Sequence, residues 1–169
     1  MVDVPNRFKL NGNDVAVTAA MDSPLLYALI DQLQLQGPRF GCGLAQCGAC
    51  SVLLDGKEVR ACVTPLSQVR GKQVTTLEGL PALYAATKKL AKVPEFTPLQ
   101  QALLDKQALQ CGFCTNGIQI KATELLSKTP NPSEDEIRKA LDGHLCRCGT
   151  YPKLIAAIRQ AAQAMSGKP

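Results

Sequence analysis

All eight cysteines of the chain fall into two groups of four, and each group has the spacing of an iron–sulfur ligand set. The first is Cys42, Cys47, Cys50 and Cys62, in GCGLAQCGAC followed by a lone cysteine in VRACVTP. The second is Cys111 and Cys114 in QCGFCTNG, closed by Cys146 and Cys148 in HLCRCGT. Thiolates are soft ligands that hold iron–sulfur clusters and zinc. The two sets use every thiol, and no nucleophile–base pair, carboxylate dyad or phosphate-binding loop stands beside them. That inventory suits a carrier of single electrons better than a chain that turns over a substrate by itself.

Cys42-x4-Cys47-x2-Cys50, with Cys62 after eleven intervening residues, matches the plant-type ferredoxin spacing for [2Fe–2S]. Three ligands on one tight loop wrap the cluster, and Gly41, Gly43 and Gly48 allow the close approach this needs. Zinc sites and buried free thiols are the alternatives, but zinc favours short paired knuckles on both sides. The second set is two short pairs, an arrangement also common for zinc. Its Cys146-Arg147-Cys148 gap is tighter than a usual zinc knuckle, and each pair precedes a predicted helix, whose first amides favour an anionic cluster. Spacing alone therefore favours iron–sulfur at the second set and leaves zinc open.

GCGLAQCGAC, QCGFCTNG and GHLCRCGTY together closely resemble the two-cluster iron–sulfur subunit of the xanthine oxidase family of molybdenum hydroxylases. The likeness covers nearly the whole chain and is strongest to the isoquinoline oxidoreductase, nicotinate dehydrogenase and aldehyde dehydrogenase types. It implies an α+β fold: an N-terminal β-grasp, plant-ferredoxin-like domain over residues 1–80, then a C-terminal four-helix-bundle [2Fe–2S]-binding domain over 81–169. The cluster at Cys111, Cys114, Cys146 and Cys148 would face a molybdopterin, in its cytosine dinucleotide form, held by a large catalytic subunit. The cluster at Cys42, Cys47, Cys50 and Cys62 would lie further out, towards a flavoprotein or cytochrome c acceptor. Two more roles carry over from the resemblance. Gln110 would hydrogen-bond the pterin, and Cys148, besides being a ligand, would lie beside it as the entry point for electrons. Asn116 and His144 depart from the commoner proline and asparagine. For His144, the lone histidine, surface or supporting packing is the expected role, ahead of a redox-linked proton site.

The elements that must position these cysteines are legible in outline. Asn11-Gly12 and Asp55-Gly56 predict two hairpins, Arg7–Leu10 with Val15–Val17 and Ser51–Leu54 with Glu58–Ala61. Between them a helix is expected from Pro24, capped by Asp22 or Ser23 and stopped by Gly37-Pro38. A last strand is expected over Gln73–Leu77. Beyond Pro81 the chain turns alanine- and leucine-rich. Tyr84–Lys92 reads as a short helix or linker, and the segment from about Ala82 to Glu95, long for a connector, is expected to contact a partner. Helices follow from Leu99 towards Gln110, over Thr115–Leu126, from a capping box at Ser133–Glu136, and from Leu154 to Met165.

At 169 residues with a net charge of +5, the chain has room for one domain or two small ones. Its basic residues are scattered and not interleaved with aromatics, which argues against nucleic-acid binding. No apolar run reaches membrane-spanning length, and MVDVPNRFKL lacks the apolar stretch of an export signal. A cytoplasmic protein is expected, unless a partner carries it to the periplasm or a membrane. A free-standing two-cluster ferredoxin and a zinc-stabilised interaction module are the rival functions.

Overall fold

The computed structural model describes residues 5–167. Residues 1–4, part of the stretch read as carrying no export signal, and 168–169 lie outside the described residues. Both turn dipeptides do what their chemistry allows. Asn11 and Gly12 have φ of 51° and 89°, and Asp55 and Gly56 of 49° and 80°, so each closes a two-residue hairpin. The strands are β1 (Asn6–Leu10), β2 (Asn13–Val17), β3 (Ser51–Leu54), β4 (Lys57–Arg60) and β5 (Gln73–Thr75). They form one sheet in the order β2-β1-β5-β3-β4, with β1 and β5 parallel and every other pair antiparallel. Phe8, Leu10, Val52 and Val74 share a dry core with Leu25, Leu26 and Leu29.

The helix over that sheet differs from the expected one. α1 is a single turn, Leu25–Tyr27, that widens into a π turn over Ala28–Gln32. Neither Asp22 nor Ser23 caps it. Leu25 and Leu26 instead donate their amides to the carbonyls of Thr64 and Ala61, so the chain after β4 satisfies the helix start. The end comes before Gly37. Gln34 turns left-handed at φ 54°, and the Leu35 amide bonds back to the Leu29 carbonyl. β5 is also shorter than expected, giving way to a 3-10 turn over Leu77–Gly79.

α2 (Leu80–Lys88) starts earlier than the sequence suggests, with Pro81 suited to its first turn. α3 (Pro98–Asp105) opens on a capping box between Thr97 and Gln100 and stops short of Gln110. Gln107 is left-handed there, and the Ala108 amide returns to the Leu103 carbonyl, which leaves Gln110 and Cys111 exposed beyond the helix. α4 (Thr115–Lys128), α5 (Glu134–Ala140) and α6 (Tyr151–Ser166) complete the helical half. The Ser133–Glu136 capping box forms as expected. Leu99, Leu103, Ile118, Ile137, Leu154 and Ile158 make the second core. A third apolar group of Leu53, Leu80 and Ile120 joins the sheet to α2 and α4. No helix among the described residues is long and apolar enough to cross a membrane.

Candidate metal centres

The first cysteine loop runs from Phe40 to Cys50, between the π turn and β3, and Cys62 follows β4. The loop aims backbone amides at its sulfurs. Leu44 and Gln46 donate to Cys42 Sγ at 3.3 and 3.2 Å, and the Cys42 amide donates to Cys47 Sγ at 3.4 Å. These donors, Leu44 foremost, draw the Cys42 thiol down to about 7. Ala45 sustains the wrap with a φ of 60°, a costly conformation for a residue with a Cβ. Cys50 and Cys62 are buried, and burial beside other thiols pushes Cys50 up to about 12. Such a thiol becomes a thiolate only next to a compensating positive charge, as a bound iron would supply.

The second centre joins two loops. Cys111 is exposed, and Cys114 stands at the N-terminus of α4. Cys146 and Cys148 lie on the loop into α6. The Phe113 amide and then Cys148 lower the Cys111 thiol, whereas burial and Cys146 push Cys114 up to about 12. Burial opposes the Cys146 thiolate, but the hydroxyl and amide of Thr150 outweigh it and bring that thiol to about 7. Tyr151 pins the loop: its hydroxyl accepts from the Cys146 amide and donates to the His144 carbonyl, each at 2.9 Å.

In both centres the thiols meet as two pairs: Cys42 with Cys47, Cys50 with Cys62, Cys111 with Cys148, and Cys114 with Cys146. Among the described residues, no three His, Cys, Asp or Glu side chains gather closely enough to hold a single ion. Two pairs suit a [2Fe–2S] rhomb, in which each tetrahedral iron takes two protein thiolates. Directed amides, paired thiols and the raised thiols of Cys50 and Cys114 all fit an anionic two-iron cluster in each place.

The two loops are also bonded to each other, which spacing along the chain does not foretell. The Leu145 amide donates to the Cys47 carbonyl at 3.0 Å, linking the residue before Cys146 directly to a cysteine of the other set. Arg60 spans the same seam, donating to the carbonyls of Ala45 and Gly143 and pairing with Glu58. Arg39 reaches across to the Gly112 carbonyl at 3.2 Å. Gly117, in the first turn of α4, lies so close to Gly48 that a Cβ there would sit 2.1 Å from the Gly48 carbonyl oxygen. His144 takes the supporting role rather than a surface one. It is 2 % exposed, with Nε2 3.3 Å from Glu58 Oε1 and 3.1 Å from Arg60 Nη1. Gln110 stands exposed beside Cys111, at the outer edge of the second centre.

Exposed apolar side chains surround both loops. Phe40, Leu44, Phe113 and Leu145 are each 46 % to 68 % exposed. Tyr27 stacks on Phe40 with ring centroids 6.3 Å apart, and Arg39 lies over the Phe113 ring at 5.6 Å.

Comparison with known proteins agrees with this geometry. A family model for a 2Fe-2S iron-sulfur cluster binding domain matches residues 8–77, and one for a [2Fe-2S] binding domain matches 85–159. A nicotinate dehydrogenase subunit from Pseudomonas putida is 45% identical over 155 residues, covering 92% of either chain. The alpha subunit of isoquinoline 1-oxidoreductase from Brevundimonas diminuta is 45% identical over 157 residues, 92% of this chain and 96% of that one. Among solved structures, aldehyde oxidoreductase from Desulfovibrio gigas superposes with a TM-score of 0.86 at 36% identity. That match covers 98% of this chain but 18% of the aldehyde oxidoreductase chain.

Proposed function

The chain belongs to the two-cluster [2Fe–2S] small subunits of the xanthine oxidase family of molybdenum hydroxylases, and we propose that it takes electrons in at Cys148 and passes them out at the Cys42 loop. It is the electron-transfer subunit of an oxidoreductase. When bound, its two clusters each accept and release one electron at a time, so a two-electron oxidation in a large molybdopterin subunit can be drained stepwise.

The residues divide that work by position. Cys111 and Gln110 are exposed at one end, where an amide side chain can both donate to and accept from a polar heterocycle. We assign Gln110 and Cys148 to contact with the pterin, in its cytosine dinucleotide form. The hydrogen bond from Leu145 to the Cys47 carbonyl supplies a short bonded route between the two ligand loops, and it is the observation that carries the relay. In the other set, half-buried Cys42 and its exposed neighbour Leu44 stand near solvent, which suits delivery to a flavoprotein or cytochrome c. The substrate class we propose is an N-heteroaromatic or aldehyde C–H, chosen by the large subunit. The cytoplasm is the proposed site, with the periplasm open to a co-exported complex.

Purification of the tagged chain from its own cell tests the reading. A brown complex containing a large molybdopterin subunit is the expected result. A monomer that serves several unrelated reductases would overturn it in favour of a free ferredoxin, and a colourless protein with two zinc ions would end both readings. In the complex, Cys148→Ser should damage the second-set cluster selectively and slow reoxidation of molybdenum. Unchanged spectra and turnover would refute the direction.

A further inference from the structure

Asn116 sits in the first turn of α4, two residues beyond ligand Cys114, and is 1 % exposed. Its Nδ2 donates to the carbonyl of Ala49 at 2.8 Å and to that of Ser51 at 2.9 Å. The first belongs to the peptide that precedes Cys50, the buried cysteine of the other set, and the second lies one residue beyond it. Its Oδ1 is buried with no partner. A buried, unpaired amide oxygen costs about 1–3 kcal/mol, so the side chain is a poor way of merely filling space. What it does provide is a two-donor clamp across Cys50 and Ser51. The close Gly48–Gly117 contact brings the helix near enough for the clamp to reach.

We propose that Asn116 is the positioning residue for Cys50. By holding the peptide before Cys50 and the one after Ser51, it restrains the backbone torsions between them, which aim the Cys50 Cα–Cβ bond into the first centre. The consequence is that a helix beginning at a second-set ligand sets the geometry of a first-set ligand. This rests on the assignment of Cys42, Cys47, Cys50 and Cys62 to a [2Fe–2S] site.

The test uses the full chain with both clusters loaded, carrying Asn116→Pro. Proline suits the first helical turn, so it removes both donors and leaves α4 able to form. Asn116→Ala serves as the second variant should the proline form fail to fold. Electron paramagnetic resonance signals are assigned to each set by their loss in Cys42→Ser and Cys111→Ser. The expected result is a shifted first-set signal and first-set iron lost to a chelator about tenfold faster, the scale of one buried hydrogen bond, with the second-set signal unmoved. A lower melting temperature with both signals as in the unaltered chain would overturn the proposal, leaving Asn116 a packing residue. A shift confined to the second-set signal would overturn it equally. If the unaltered chain lacks a first-set signal, the cluster assignment itself fails, and that is visible before any variant is made.

Discussion

Glu58 lies in the seam between the two cysteine loops, against Ser51, Arg60 and His144. Burial alone would raise its pKa from the ordinary 4.5, but hydrogen bonds with His144 and Ser51 and the Arg60 charge carry it down to about 2. A carboxyl lowered in the folded state stabilises the fold fully above its unfolded value and loses that contribution as pH falls through the folded one. Glu58 should therefore contribute on the order of 2 kcal/mol at neutral pH, after allowance for solvent screening. The contribution should disappear between about pH 4.5 and pH 2. Urea unfolding across that range should show the loss, and Glu58→Gln should flatten that part of the profile. Arg60 explains why the carboxylate tolerates burial, since its guanidinium is held by two carbonyls and cannot drift away. None of this is legible in the sequence. Arg60 is one basic residue among many until folding places it against Gly143 and His144.

At the scale of elements, the strongest local signals hold because each carries its own physics. Asn11-Gly12, Asp55-Gly56 and the Ser133–Glu136 capping box all form at the residues that specify them. Expectation and structure part where tertiary bonds take over a local role. α1 needs no Asp22 or Ser23 cap because distant carbonyls at Ala61 and Thr64 meet its amides. Leu109 fits the apolar period of α3 and so suggests a helix running on to Gln110, while the left-handed Gln107 ends it. α2 ends on another left-handed residue, Lys89 at φ 53°, where a Cβ is a burden. Lys89→Gly should stabilise the chain by roughly 0.5–1 kcal/mol, measured as a rise in thermal midpoint with both clusters intact. An unchanged or lower midpoint would show that the lysine side chain has a contact of its own.

Across the whole molecule, the two cysteine sets are readable because cysteine spacing is a local property, whereas the relation between the sets is not. The exposed apolar side chains of Phe40, Leu44, Phe113 and Leu145 belong to this scale too. A chain that stood alone would gain nothing from apolar side chains around its cysteine loops, while a permanently docked subunit would bury them. Phe113→Asp should therefore abolish co-purification with a large subunit while both clusters still load, as judged by iron content and absorption. Retention of the complex would place the contact elsewhere. The contact of Gly117 with Gly48 has a different kind of consequence. The obstacle to a side chain at 117 is a main-chain oxygen, which no second substitution can trim away. Most tight places in a protein can drift, because one neighbour shrinks as the other grows. Here that exchange is closed: a lineage that loses this glycine has no compensating change at Gly48 to fall back on, and must move the helix to survive.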